Sequence, residues 1–321
     1  MSFVPRLFVP RPSPLLAGLG YGLAAGACWG IIFLAPLLVP DFSALQLAVA
    51  RYVAYGGFSA ALLLPRWRGV VRRLPGRAWG VLLGLGLAGN LGYYVLIATA
   101  VRLAGLNATS IVTGFLPVLV SCLGSREKGA LHPGRLWPSL LLMIAGLVLV
   151  GMDGSGRPGT AAVIDPLARG EGLACAAAAM LAWSLFAIVN ARWMARLPSV
   201  GAGEWGLASG VATGLLGMLA LPFAGFVPAA HPAARWLVFG GVASGVALVA
   251  SVLGGIFWNQ CSRRLPMTLS GQMAIGETLF ALLYGCLWSG HGLSVPESGA
   301  VVLLIGSVAL GAMAHASPAR D

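Results

Sequence analysis

Two ionisable side chains stand apart inside the long apolar runs of this sequence. Glu277 is the single acid, and Arg51 the single base, placed well within such a run. Inserting either one unpaired costs roughly 2.5–3.5 kcal/mol, so each needs a partner, a wet cavity or a task. Glu277 has three readings: a hydrogen-bonded structural acid, a carboxylate that exchanges a coupling proton, or an anchor for a substrate ammonium group. Arg51 lies about two turns from the outer end of its run, and its long stem is expected to carry the guanidinium to the interface.

Amides, hydroxyls and aromatic rings form a second set. Asn90 precedes Tyr93 and Tyr94 by three and four residues, so a helix puts all three on one face. Thr109 and Thr113 are one turn apart, and Trp183 is followed by Ser184 and Asn190. Ser251, Asn259 beside Trp258, and Gln272 complete the group. Converging at mid-depth, such groups hold a small amphipathic solute: rings supply stacking, while amides and hydroxyls fix its polar ends. The expected substrate-binding residues are Asn90, Tyr93, Tyr94, Thr113, Trp183, Asn190, Ser251, Gln272 and Glu277. For any one of them, plain interhelical hydrogen bonding is the competing account.

Glycines recur at four-residue spacing. Gly18, Gly22, Gly26 and Gly30 make one stripe, Gly80, Gly84, Ala88 and Gly92 a second, and Gly206, Gly210 and Gly214 a third. Such stripes let helices approach closely, for static packing or for sliding contacts. Gly22, Gly26, Trp29, Gly30 and Pro117 are the expected packing or gating positions.

Other chemistry is missing from the pattern. There is no GxxxxGK[ST], hence no encoded nucleotide motor, and no HExxH or paired intramembrane acids. The four histidines fall in loops or at run ends, and the five cysteines form no CxxC pair. No cofactor, metal or catalytic residue is expected.

The elements that position these residues follow from composition. Of 321 residues, 58% are hydrophobic and 9% charged, against about 25% charged in soluble proteins. The fold class is therefore all-α integral membrane. Ten apolar runs appear, at about 15–38, 44–64, 78–101, 106–123, 137–150, 170–191, 205–226, 236–261, 267–288 and 298–314. The first follows Arg6 and Arg11 but exceeds a signal-peptide core, and reads as a retained helix.

The net charge of +11 does not point to nucleic acid, because the basic residues sit in short loops between the runs. With a cytoplasmic amino terminus, fifteen fall inside: Arg6, Arg11, Arg66, Arg68, Arg72, Arg73, Arg77, Arg126, Lys128, Arg135, Arg192, Arg196, Arg263, Arg264 and Arg320. Four fall outside: Arg102, Arg157, Arg169 and Arg235. That bias predicts both termini in the cytoplasm of a multi-pass inner-membrane protein. The longest polar connection, 153–169, divides the chain into repeats 1–158 and 159–321 of five helices each. An odd helix count inverts the second repeat, and Trp29-Gly30 in the first run is echoed by Trp183-Ser184 in the sixth.

These residues resemble the EamA branch of the drug/metabolite transporter superfamily. Trp29-Gly30, Arg51, the stretch Phe115-Leu116-Pro117-Val118-Leu119 leading to Arg126-Glu127, Arg263-Arg264-Leu265-Pro266 and Gly276-Glu277 carry the likeness. It departs at Leu37, where a lysine is frequent, at His291, where a second acid often stands, and at Thr278, which replaces a proline. The resemblance implies a secondary carrier, not an enzyme. Its aromatic-rich midplane is most similar to exporters of aromatic and neutral amino acids. The expected partners are a small-molecule substrate, the lipid bilayer and a coupling proton. A drug or nucleotide-sugar carrier of the same fold and an intramembrane lipid-modifying enzyme are the alternatives.

Overall fold

A computed structural model describes residues 13–104, 109, 112–113, 115–124, 133–154, 166–290 and 292–316. The described residues are mostly helical, joined by short turns, with no strand among them. Among the described residues, seven rods are long and apolar enough to cross a membrane: Pro14–Leu38, Ala44–Arg73, Gly76–Ile97, Pro166–Arg196, Ala202–Phe223, Ala233–Ser262 and Val295–His315. Their outer faces carry large apolar side chains, with Phe223 and Leu237 almost fully exposed. Such a surface is stable only against lipid.

Helix α1, Pro14–Gly30, starts at Ser13, whose hydroxyl accepts from Leu16, with proline at the first helical position. It tightens into a 3-10 turn, Ile31–Phe33, before Ala35–Leu38. Pro36 explains the change, because its ring cannot follow an unbroken α-helical ladder. Helix α2, Ala44–Leu63, opens with a capping box: Gln46 N–H donates to Ser43 Oγ at 3.1 Å, and Ser43 N–H donates to Gln46 Oε1 at 2.8 Å. The short α3, Trp67–Arg73, follows.

The third rod is α4, Gly76–Gly86, a π-helical turn at Leu87–Leu91, and α5, Gly92–Ala104. Only the second part of the expected fourth helix is described, as α6, Leu116–Gly124, preceded by a turn at Phe115. Helix α7 spans Pro133–Gly154, well beyond the expected 137–150. Helix α8, Pro166–Arg196, also outruns its expected span and absorbs the end of the polar connection. Residues 155–165 of that connection, with Arg126, Lys128, His132 and His291, lie outside the described residues.

In the remaining chain, α9 is Ala202–Ala220 and α10 is Ala233–Val246. A second π-helical turn, Ala247–Leu253, leads into α11, Gly254–Ser262. The expected continuous helix at 267–288 is two pieces, α12 (Met267–Met273) and α13 (Gly276–Ser289). Across the break the ladder tightens: Ala274, Ile275 and Glu277 donate to carbonyls three residues back, on Gly271, Gln272 and Ala274. Gly271 and Gly276 flank it, and glycine is a weak helix former. Gly290, at φ 69°, ends α13 in the left-handed conformation glycine supplies. Helix α14 is Val295–Ala316.

Helix α1 lies between α11 and the broken pair α12–α13, α2 packs on α9, α5 on α8, and α7 on α14.

Candidate functional site

The first glycine stripe runs along the broken helix. A Cβ on Gly22 would meet the Met273 side chain, one on Gly26 the Gly276 backbone, and one on Gly30 Phe280. Helix α1 therefore abuts the break itself. The third stripe does the same across α2 and α9, where a Cβ on Gly56 would stand 2.6 Å from Gly214 Cα. The second stripe differs: Gly80 and Gly84 face open space, so no close approach accounts for them.

Beside these contacts lies a polar interior. Arg51 is buried, with 7% of its surface exposed, and donates Nε–H to Ser251 Oγ at 3.0 Å. Its guanidinium carbon sits 5.1 Å from the Tyr52 ring centre. Arg51 therefore does not snorkel to the interface as its position in sequence suggests. The π-helical turn carrying Ser251 offers a closer partner, so the charge turns inward. Arg51 and Tyr94 are the polar members of a cavity wall completed by Ile32, Ala35, Leu47, Ala48 and Val246.

Glu277 occupies the first turn of α13, where the positive end of the helix dipole favours negative charge. It is half-buried and lies within electrostatic reach of Arg51, Tyr52 and Tyr93. Three rings stand nearby along α1. Trp29 is 5.3 Å from Trp258 and 6.4 Å from Trp183, and Trp183 is 5.5 Å from Trp258. Trp29 Nε1–H donates to the Ala250 carbonyl at 3.1 Å, which ties α1 to the residue preceding Ser251.

Arg51, Tyr94 and Ser251 are thus brought together, Glu277 lies within electrostatic reach of Arg51 and Tyr93, and Trp29, with Trp183 against it, is tied to the turn that carries Ser251. Asn90 belongs to the first π-helical turn and donates to Thr213 Oγ1 at 3.2 Å, towards α9. Thr113 donates to the Thr109 carbonyl, and Pro117 is buried near Gly271. Two expected members stand elsewhere. Asn190 donates to Asn259 Oδ1 at 2.9 Å and accepts from Trp205 Nε1 at 2.8 Å, which makes it a packing node between α8, α9 and α11. Gln272 is fully buried against Gly311 of α14. Tyr52 and Tyr55, which donates to the Gly206 carbonyl, were missed. Their spacing of one and four residues from Arg51 is the signal that could have found them.

The two ends of the rods are tied differently. At the start of α2, Asp41 pairs with Arg235 at 2.5 Å, beside stacked Phe42 and Phe239. At the other end, Arg73 forks onto Glu204 at 2.7 and 3.0 Å and also donates to the Ser199 carbonyl. Arg263 donates to the Val200 carbonyl at 2.6 Å there.

Fold and site together define a multi-pass α-helical membrane protein with a buried, charged and aromatic interior. No family model matches the chain. It is 31% identical over 295 residues to the inner membrane protein YtfF of Escherichia coli (strain K12), covering 84% of this chain and 87% of that one. The chain belongs to the YtfF family. A solved structure described only as the crystal structure of a protein matches at TM-score 0.72, over 92% of this chain and 96% of that chain. At 22% identity it shares the fold.

Proposed function

We propose that the chain is a secondary carrier of the EamA type. It exports small metabolites, aromatic and neutral amino acids first among them, across the inner membrane by alternating access. Ten helices form two inverted repeats, 1–158 and 159–321, with both termini cytoplasmic.

The observation that carries this reading is the agreement between packing pairs when the two halves are exchanged. Moving each of the ten expected spans five places on converts the pairing of the third with the sixth (α5 with α8) into that of the eighth with the first (α11 with α1), and the pairing of the sixth with the fourth (α8 with α6) into that of the first with the broken ninth (α1 with α12–α13). Pairs α2–α9, α7–α14 and α6–α12 map onto themselves. The two π-helical turns, Leu87–Leu91 and Ala247–Leu253, also exchange. Such turns frequently mark functional sites, and carriers built from inverted repeats bind near the midplane, at interrupted helices. The orientation is supported by Arg73 and Arg263, whose basic loops both reach the 199–200 turn at one end.

Substrate sits between Tyr94, Trp183 and Glu277, with Asn90 on one flank. Rocking of the glycine contacts opens one end as the other closes. Purified protein in liposomes with an imposed pH gradient tests this. Labelled phenylalanine or leucine is expected to accumulate, and to be lost on collapsing the gradient. Uptake of a nucleotide sugar or a drug with no amino-acid uptake overturns the substrate class. Lipid turnover without solute uptake overturns the carrier.

A further inference from the structure

The interior contains two opposite charges, Arg51 and Glu277, within electrostatic reach of each other, and neither forms an ion pair among the described residues. Arg51 commits Nε to Ser251 and rests on the Tyr52 ring; no acceptor holds the two ends of its fork among the described residues. Glu277, half-buried at the head of α13, likewise has no hydrogen-bonded side-chain donor among them. A buried guanidinium is costly unless an anion meets it, and its planar fork matches a carboxylate through two parallel bonds. A carboxylate within electrostatic reach of that guanidinium, with no hydrogen-bonded side-chain donor among the described residues, suits an ammonium group.

The two groups are anchored on different elements. Ser251 fixes the Arg51 stem from the second π-helical turn, while the Gly26–Gly276 contact fixes the head of α13 against α1. Apolar wall residues Ile32, Leu47 and Val246 border Arg51, and Tyr94 shares that wall. The indoles of Trp29 and Trp183 stand on the α1 side.

We infer that Arg51 and Glu277 are the two poles of a zwitterion clamp: the Arg51 fork receives an α-carboxylate, the Glu277 carboxylate receives the α-ammonium, and the aromatic wall receives the side chain. This rests on the amino-acid carrier reading and adds to it the residues that recognise the charges. It makes Arg51 a binding residue, a role that its sequence position conceals. It also gives the clamp a rule of selection: a solute that lacks either charge leaves one pole unmatched and binds weakly.

Four probes test it on the purified full chain in detergent, with binding followed by intrinsic tryptophan fluorescence: L-phenylalanine, phenylalaninamide, 3-phenylpropionate and phenethylamine. The wild type is expected to bind L-phenylalanine at least tenfold more tightly than the other three. Arg51→Gln should make L-phenylalanine and phenylalaninamide equivalent while preserving the preference for an ammonium group. Glu277→Gln should make L-phenylalanine and 3-phenylpropionate equivalent while preserving the preference for a carboxylate. Should Arg51→Gln fail to fold, Arg51→Lys keeps the charge without the fork, and is expected to weaken only the carboxylate-bearing probes. If the wild type favours L-phenylalanine and both variants keep its full pattern of preference, the clamp is wrong and the carrier reading stands. If the wild type binds none of the four yet carries another solute, the amino-acid reading falls and the clamp with it.

Discussion

Gly26 of α1 lies against Gly276 at the head of α13 so closely that a Cβ on Gly26 would stand 2.6 Å from the Gly276 carbonyl carbon. Real Cβ atoms do not approach backbone that way, so Gly26→Ala must separate α1 from the break. Overpacking costs about 1–3 kcal/mol, and a corresponding fall in thermal stability in detergent is expected, together with loss of transport in liposomes. Gly20 on the same helix has open space around its missing Cβ. Gly20→Ala should therefore leave stability and transport unchanged. Equal behaviour of the two variants would refute a tight contact at Gly26.

The Gly26 contact also marks what a sequence can disclose. Four glycines at a constant spacing announce a close partner, but not which one, because helix periodicity carries no information about distant segments. Apolar runs and loop charges gave the helical class in the same way. The break at Ala274–Ile275 stayed hidden, since Met267 to Trp288 reads as one predominantly apolar run despite Gln272 and Glu277, and glycine alone does not force an interruption. The direction of Arg51 was misread for a related reason. A run end lies about two turns away, whereas Ser251 is 200 residues off in the chain.

Asn190 separates a packing role from a binding one. Its carboxamide joins Asn259 and the Trp205 indole. Asn190→Leu would leave Trp205 Nε1 and Asn259 Oδ1 buried without that partner, at about 1–3 kcal/mol for each orphaned group. A marked loss of thermal stability is expected, with an unchanged KM for whatever protein folds. A raised KM at unchanged stability would instead return Asn190 to the substrate.

The three indoles make a graded test. Trp29 Nε1–H is spent on the Ala250 carbonyl, whereas Trp258 Nε1 is buried with no hydrogen-bond partner among the described residues. Trp258→Phe removes an unsatisfied donor and some apolar area. Trp29→Phe removes a made bond and frees a carbonyl in the π-helical turn. The second is expected to be the more destabilising by about 0.5–1.5 kcal/mol, measured as the difference in unfolding free energy in detergent. The reverse order would mean that the Trp29 bond does not hold α1 to that turn.

Glu277 is the last group to separate, because one carboxylate serves substrate anchoring and proton coupling alike. Glutamine keeps its shape, exchanging one acceptor oxygen for an NH2 donor, but cannot release a proton. In liposomes, Glu277→Gln is expected to abolish the response of uptake to an imposed pH gradient. Exchange of internal for external L-phenylalanine, which needs no net proton movement, should persist once the substrate concentration is raised to offset weaker binding. Loss of exchange at saturating substrate would make Glu277 indispensable to the moving step itself. Unchanged pH dependence in a normally expressed variant would remove proton coupling from this residue, and leave it only the ammonium of its substrate to hold.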